Sequence, residues 1–383
     1  MTIEYPSLDI PTAGAFRYNT DSSQLEIYDG NQWTGVVGNP ATTTGRCVWG
    51  GGETPSGASL DEMEFVQINT TGNSIDFGNL TAAGQWLTAA ASSSTRGCWF
   101  GGAPRHDEID YITIATTGNA IDFGDLGVSR GANGAMGNQV RGITGGGDTG
   151  GNKKDSMEYI TFASTGNGTD WGDLDADRSA MGACASATRG LFVGGYTPSS
   201  CNIIELVTIA STGSAQDFGD LTSNRWDLTG FASPTRGVFA NGTIVAAGNQ
   251  VSNIIDYVTI ATTGNAQDFG DATGVKQANP GCSNSTRGLW GGGYTPSGTS
   301  NIDSVYMSTL GNAIDFGDLT TTLTVGAAFS TQTRGVWAAG YSGGNTNILN
   351  MVRFATEGDA TDYGDLSRST HRTTGASNSH GGL

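Results

Sequence analysis

The sequence predicts an all-β fold made of seven similar units, and recurring markers lead to this prediction. The triplet Asp-aromatic-Gly occurs seven times, with spacings of 46, 48, 47, 51, 47 and 47 residues. An Arg in a tight turn and a Gly-Asn turn recur in phase with it. Repeats of this length, rich in turn residues, are typical of β-propellers, in which each unit forms one blade. We therefore predict a seven-bladed β-propeller. The triplets begin at Asp76, Asp122, Asp170, Asp217, Asp268, Asp315 and Asp362.

Within one repeat, residues 277–319, the pattern predicts four strands. Small residues at 277–285 indicate the first strand, and the run 289–293 indicates the second. Apolar residues at 302–309 predict a third strand, and a Gly-Asn hairpin turn leads to the fourth, 313–319, which carries the triplet aromatic. Four short antiparallel strands form a propeller blade. The first strands are rich in Gly, Ala and Ser, as expected where seven strands converge on one axis.

The two ends of the repeat array predict a closed ring. The first repeat starts near Arg46 without a first strand, whereas residues 373–381 match the small-residue first strand of the other repeats. We expect the C-terminal strand to complete the first blade as its innermost strand. Such closure removes a free sheet edge, which would otherwise promote aggregation.

The order of elements resembles the kelch repeat. The second strand of five repeats ends in a glycine pair, at Gly51-Gly52, Gly101-Gly102, Gly146-Gly147, Gly194-Gly195 and Gly292-Gly293. The seventh repeat has Ala339-Gly340, and the fifth has either Asn241-Gly242 or Ala246-Ala247 at this point. Most triplets carry Phe where kelch repeats carry Trp. The resemblance covers residues 41–383 and implies the propeller architecture, not a function.

Residues 1–40 do not repeat and predict a small β-hairpin segment. Two strands are expected at 15–19 and 24–28, with a third short strand after Asp29-Gly30. The pattern Arg-Tyr-Asn-Thr-Asp, followed by Leu-Glu-Ile-Tyr-Asp-Gly and Trp, resembles a segment of tailed-phage tail-fibre and other virion proteins. The resemblance implies attachment to other virion proteins or oligomerisation through this segment. The residues that would carry this role are Arg17, Tyr18, Tyr28 and Trp33.

The repeated charged residues are candidates for structural roles. We interpret each triplet Asp as a turn residue and each triplet aromatic as a core residue. The turn arginines either form ion pairs or bond carbonyls between neighbouring strands, or they are exposed turn residues. The residues concerned are Arg96, Arg141, Arg189, Arg236, Arg287 and Arg334 and, among the triplets, Asp122, Asp217, Asp268 and Asp315.

Composition and motifs narrow the function classes. The net charge of −18 disfavours nucleic acid and anionic membranes as partners, because an acidic surface repels phosphate groups. No P-loop, kinase motif set or nucleophile elbow is present, and the three histidines have no metal-ligand spacing. We expect a binding protein that is not an enzyme and needs no cofactor or metal, although Asp-rich turns leave Ca²⁺ open.

The variable loops after the second strands form the predicted recognition surface. Several carry Tyr beside Ser, Thr and Asn, a combination that suits carbohydrate binding through ring stacking and hydroxyl hydrogen bonds. The candidate ligand-binding residues are Tyr196, Tyr294, Tyr341 and His106.

The resemblance of the N-terminal segment implies a phage virion structural protein, which we expect to be made in the host cytoplasm and located in the virion. The first hypothesis is a tail-fibre or appendage component whose propeller recognises a host-surface glycan or protein. The second is a decoration or collar protein that contacts other virion proteins. The third is a carbohydrate-binding lectin or a polysaccharide-acting enzyme. A homo-oligomer is compatible with each of them.

Overall fold

The computed structural model of the chain describes Thr12 and residues 15–19, 24–28, 33–35, 45–85, 89–245, 250–295, 297–341 and 343–379. The described residues form an all-β structure, and the seven-bladed β-propeller predicted above is confirmed. By its internal contacts the chain divides into two compact units, Met1–Thr44 and Gly45–Leu383. Within the described part, no helix has the length and apolar character that crossing a bilayer requires.

The first unit contains a three-stranded antiparallel sheet. Its strands are β1 (Phe16–Asn19), β2 (Gln24–Tyr28) and β3 (Trp33–Gly35), in the order β1-β2-β3. The strands agree with the predicted hairpin segment. Arg17 is exposed and Tyr28 is half-buried, whereas the side chains of Tyr18 and Trp33 lie outside the described part of the structure.

The second unit contains the seven blades, which are numbered in chain order. Blade 1 contains β4 (Arg46–Gly50), β5 (Leu60–Gln67) and β6 (Ile75–Gly84). Blade 2 contains β7 (Ala90–Ser92), β8 (Arg96–Gly102), β9 (His106–Thr113) and β10 (Ile121–Arg130). Blade 3 contains β11 (Gly134–Gly137), β12 (Arg141–Gly145), β13 (Ser156–Thr161) and β14 (Thr169–Asp173). Blade 4 contains β15 (Gly182–Ala185), β16 (Arg189–Val193), β17 (Ile203–Thr208) and β18 (Gln216–Asp220).

The remaining blades follow the same order, with one extra short strand in blade 5. Blade 5 contains β19 (Thr229–Ala232), β20 (Arg236–Ala240), β21 (Thr243–Ile244), β22 (Gln250–Thr259) and β23 (Gln267–Lys276). Blade 6 contains β24 (Gly281–Ser283), β25 (Arg287–Gly291), β26 (Asn301–Tyr306) and β27 (Ile314–Asp318). Blade 7 contains β28 (Ala327–Ser330), β29 (Arg334–Ala338), β30 (Thr346–Arg353) and β31 (Thr361–Thr370).

The last strand, β32 (Thr374–Ser377), closes the ring as predicted. It pairs antiparallel with β4, from Thr374 opposite Gly50 to Ser377 opposite Cys47, and makes blade 1 four-stranded. The innermost strands β7, β11, β15, β19, β24, β28 and β32 each contact the next around a complete circle. The glycine-pair position of the fifth repeat is taken by Asn241-Gly242, with φ angles of 62° and 99°. The alternative, Ala246-Ala247, lies outside the described residues.

The core consists of seven apolar clusters, one between each pair of neighbouring blades. All seven triplet aromatics are buried in it, as the repeat pattern predicted. In the cluster between blades 1 and 2, for example, Phe77 and Met63 pack with Trp99. Full burial of a large apolar side chain contributes about 1.5–3 kcal/mol. Burial of apolar side chains from both neighbouring blades therefore stabilises each interface.

The triplet glycine lets each blade approach the hairpin turn of the next. A Cβ on Gly270, whose φ is 141°, would lie 2.5 Å from the backbone of Gly311 in blade 6. This close approach allows Gly311 N to donate to Phe269 O (2.8 Å) and Asp271 N to donate to Asn312 Oδ1 (3.1 Å). The turn and the triplet thus recur in phase because they bond to each other across every interface.

The turn arginines bond backbone carbonyls of the following blade. Nη1 of Arg236 donates to Met307 O at 2.8 Å, and its guanidinium lies over the ring of Tyr257. The equivalent carbonyl bonds are made by Arg46, Arg96, Arg141, Arg189, Arg287 and Arg334. Carbonyl bonding is therefore the role that all seven turn arginines share, and Arg287 also forms an ion pair through its Nη2 with Glu357 Oε1 (2.5 Å). The triplet aspartates act locally instead, as where Asp268 Oδ1 accepts from Gly270 N at 2.9 Å.

A second set of interblade contacts, not predicted from the sequence, consists of buried ion pairs. Each cation ends or follows an outermost strand and reaches an acid on the third strand of the next blade. The pairs are Arg130–Glu158 (2.5 Å), Arg178–Glu205, Arg225–Asp256 (2.5 Å) and Lys276–Asp303 (2.7 Å). Between blades 6 and 7 the corresponding residues are Leu323 and Asn350, so the cation and the negative charge are both absent there. Between blades 1 and 2 the buried acid Asp110 is present, but Gly84 stands at the position of the cation.

Candidate functional site

The two ends of the propeller axis differ in chemistry. At one end the innermost strands line a cavity of about 360 Å³ whose wall is mostly Ala, Ser and Gly. At the other end the linkers between blades meet the loops that follow the second strands. There, a cavity of about 720 Å³ is lined by aromatic, polar and charged side chains. We call this second cavity the funnel. Its volume lies in the range of small-molecule sites.

The mouth of the funnel is framed by residues that occupy one equivalent position per blade. We call this set the mouth ring; its described members are Ala132, Ala180, Asp227, Ala278, Val325 and Arg372. Each has a left-handed backbone, with φ between 48° and 57°. This conformation is strained for non-glycine residues, most of all for the β-branched Val325.

Backbone hydrogen bonds link the mouth ring around the axis. From Ala180 onward, the N–H of each described member donates to the carbonyl of the equivalent residue before it, as from Asp227 to Ala180 (3.1 Å) and from Arg372 to Val325 (3.0 Å). The described chain of bonds runs from Ala132 to Arg372 through all six members. The strained backbone is therefore what allows neighbouring linkers to bond each other at the mouth.

Asp227 is the acidic member of the mouth ring. Within the described part of the chain, its carboxylate has no hydrogen-bond or ion-pair partner, although its backbone N–H is bonded. Burial raises the pKa of this carboxyl to about 6. A group kept in an unfavourable environment inside a cavity is a typical sign of a functional site.

Charged residues on the opposite side of the mouth are paired with each other. Arg372 stands three positions from Asp227 in a ring of seven blades, and its Nη1 donates to Glu53 Oε2. His371 Nε2 lies 3.7 Å from the same carboxylate oxygen, and its ring lies 5.9 Å from that of Tyr341. Burial and the nearby Arg372 lower the pKa of His371, so the imidazole is neutral at pH 7.

The structure brings together some, though not all, of the sequence-derived ligand candidates. Tyr294 and Tyr341 line the funnel, and their side chains are nearly half exposed. Tyr196 packs against Trp226, a wall residue, at 5.5 Å between ring centroids. His106 lies apart, at the start of β9, where its Nδ1 is 3.0 Å from Glu108 Oε2.

Among the wall residues, sequence reasoning missed Trp226, Asp227, Asn279, His371 and Arg372. A usable signal was present, because each mouth-ring residue follows the triplet Asp by ten positions. Asp227 and Arg372 are the charged members at this phase, where the other described blades have Ala or Val. By the same count, the position leading into blade 2 is Trp86, which lies outside the described residues.

The described residues contain no group of three or more His, Cys, Asp or Glu side chains placed to hold a metal ion. Fold and funnel together define a seven-bladed β-propeller with an amphipathic axial site. No protein-family model and no curated protein matches this sequence.

We expect replacement of Asp227 by Asn to raise the free energy of unfolding at pH 8 by up to about 3 kcal/mol. The folded pKa of about 6 exceeds the ordinary value of 3.8, so the folded protein binds this proton more tightly than the unfolded chain. The cost of ionising Asp227 is fully present above pH 6 and disappears as the pH falls through 6 toward 3.8. Asn tolerates the left-handed backbone.

Urea unfolding of both proteins at pH 8 and at pH 4 measures this effect. The other titratable groups that line the funnel are Tyr294, Tyr341, His371 and Arg372, and Glu53 pairs with Arg372. All of them are common to both proteins, so the difference isolates Asp227. The stability gap should close at pH 4. A variant that is less stable than the parent at pH 8 would contradict the assignment.

Proposed function

We propose that the chain is a structural protein of a tailed-phage virion, a tail-fibre or appendage component whose propeller recognises the host surface. Two features support this proposal. The N-terminal three-stranded segment matches the hairpin expected from its resemblance to virion attachment segments. The propeller presents an axial funnel with aromatic and polar walls at the end where its variable loops lie.

The funnel is the observation that carries the recognition role. Exposed Tyr294 and Tyr341 stand at a concave opening, where rings and hydroxyls bind ligands with little loss of side-chain entropy. The strained mouth ring supports the same proposal, because backbone strain is concentrated at functional sites.

Host-cell binding and particle labelling test the proposal together. An antibody to this chain should label intact particles in negative stain, and the purified protein should bind host cells. The double variant Tyr294→Ala/Tyr341→Ala should lose at least tenfold in cell binding. Tyr306→Ala is the matched control, because Tyr306 is equally exposed yet lies in blade 6 outside the funnel wall. Absence of label on intact particles contradicts the virion role, and undiminished cell binding by the double variant contradicts recognition through the funnel.

A decoration or collar protein is the second candidate, favoured by an exposed apolar group on blade 6. Tyr306, Leu310 and Ile314 are 49%, 56% and 40% exposed around the hairpin between β26 and β27. Exposed apolar patches mark contacts with other proteins. Binding to a capsid or tail protein that is lost in Leu310→Ser, with no binding to host cells, would favour this candidate over the first.

A further inference from the structure

The funnel wall contains polar atoms that the described chain does not satisfy. Asn279 Oδ1, Trp226 Nε1 and His371 Nδ1 are buried without a hydrogen-bond partner among the described residues. The carboxylate of Asp227, a half-buried residue, also has no partner within the described part. Asn279 and His371 are more than nine-tenths buried. Buried polar groups in folded proteins are almost always bonded, so this concentration in one cavity points to a missing partner.

The missing partner must both donate and accept hydrogen bonds. Asp227 and Asn279 offer acceptors, whereas the indole N–H of Trp226 is a donor only. A hydroxyl group both donates and accepts hydrogen bonds. A small ring that carries several hydroxyls can therefore bond the acceptors and the donor of the funnel wall together. Tyr294 and Tyr341 beside them offer apolar ring faces of the kind that stack on sugar rings.

The charge of the site argues against an acidic ligand. Glu53 already offsets Arg372, and His371 has a lowered pKa and is neutral. Among the described wall residues, the remaining charge is the Asp227 carboxylate, on a protein of net charge −18. A ligand carboxylate or phosphate would be repelled both at the site and during approach.

We propose that the funnel holds the terminal residue of a neutral glycan, with Asp227 and Asn279 accepting from its hydroxyls. This inference deepens the proposed recognition function and rests on it for the source of the glycan. A site of this kind takes one sugar ring in the funnel, while the rest of the glycan extends past the loops that carry Tyr294 and Tyr341.

Titration of the full chain with glucose, galactose and mannose, followed by ligand-observed NMR, tests the inference. At the ligand efficiency of small molecules, a single hexose should bind with a Kd of roughly 1–10 mM. We expect at least one of the three to bind in this range and glucuronate to bind at least tenfold more weakly than glucose or not at all.

Asp227→Ala should weaken hexose binding at least tenfold. Alanine fits this backbone, since Ala132, Ala180 and Ala278 occupy the equivalent positions with the same φ. Asp177→Asn is the matched control, because Asp177 is an exposed acid on the linker between β14 and β15 and not part of the funnel wall. It should leave hexose binding unchanged.

Three results would overturn the inference: no binding of any of the three hexoses up to about 100 mM, equal binding by Asp227→Ala, or tighter binding of glucuronate. The proposed virion role fails by a different measurement, the absence of label on particles. If hexose binding depends on Asp227 but particles are not labelled, the glycan site is supported and the virion role is contradicted. If particles are labelled but no hexose binds, the virion role is supported and the glycan site is contradicted.

Discussion

Removal of residues 373–383 should abolish the cooperative fold of the propeller. This truncation deletes β32, so the edge of β4 from Arg46 to Gly50 loses its backbone partner. It also removes Ala376 from the cluster that contains Val48 and Trp99. The truncated chain would carry an open ring with an unpaired hydrophobic edge, a typical cause of aggregation. Circular dichroism during heating and size-exclusion chromatography would show the loss of the transition and of the monomer peak.

A shorter truncation provides the control. Deleting only residues 380–383 keeps β32 and the next residue, Asn378, whose N–H donates to Arg46 O. This variant should melt like the intact chain. A chain lacking residues 373–383 that stays as compact and heat-resistant as the intact one would show that β32 does not close the ring.

Replacement of Arg225 by Leu should destabilise the protein by about 3–5 kcal/mol, the usual effect of breaking a buried ion pair by removing one partner. Arg225 and Asp256 are both fully buried, and the guanidinium also donates to Asn241 O and Ile254 O. Without it, Asp256 would keep only its bonds from Thr222, which are too few to offset the desolvation of the charge. Urea unfolding followed by tryptophan fluorescence measures the loss.

The interface between blades 6 and 7 indicates which second substitution should compensate for the loss of Arg225. There Leu323 and Asn350 stand at the same phase of the repeat, and Asn350 Oδ1 accepts from Thr320 N (2.8 Å) and Thr320 Oγ1 (2.7 Å). These bonds parallel those between Thr222 and Asp256. The double variant Arg225→Leu/Asp256→Asn should therefore recover most of the lost stability. A single variant that costs less than about 1 kcal/mol would mean that Asp256 finds another way to be solvated or protonated.

The fold was predictable because it is repeated. The triplet aromatics, the turn arginines and the small residues of the inner strands each occur about once per blade, so local patterns reinforced one another. Even the closing strand was visible, since residues 374–377 resemble the inner strands of the other blades. The residues of the buried ion pairs also occur at constant positions in the repeat. Each cation follows the triplet Asp by eight residues, and each acid precedes the next triplet by twelve.

The partners across each interface and the funnel were not predictable in the same way. Arg225 and Asp256 are far apart in the repeat, and only the packing of one blade on the next brings them together. Asp227 occupies what the sequence presents as an ordinary linker. Its role depends on its position near the axis and on the burial that raises its pKa, and both arise only when the ring has closed. Tyr294 and Tyr341 could be selected because they lie in variable loops, which is a property of the sequence.

In the hydrogen-bonded mouth ring, the width of the opening and the chemistry of the opening depend on different parts of each residue. Main-chain bonds between successive members set the diameter, while Ala, Val, Asp and Arg all occur at the same backbone conformation. Exchanging these side chains would alter what enters without moving the frame that surrounds it. A change in ligand preference could thus proceed one residue at a time on an unchanged scaffold, and a designer could assign the six described positions of the mouth ring independently.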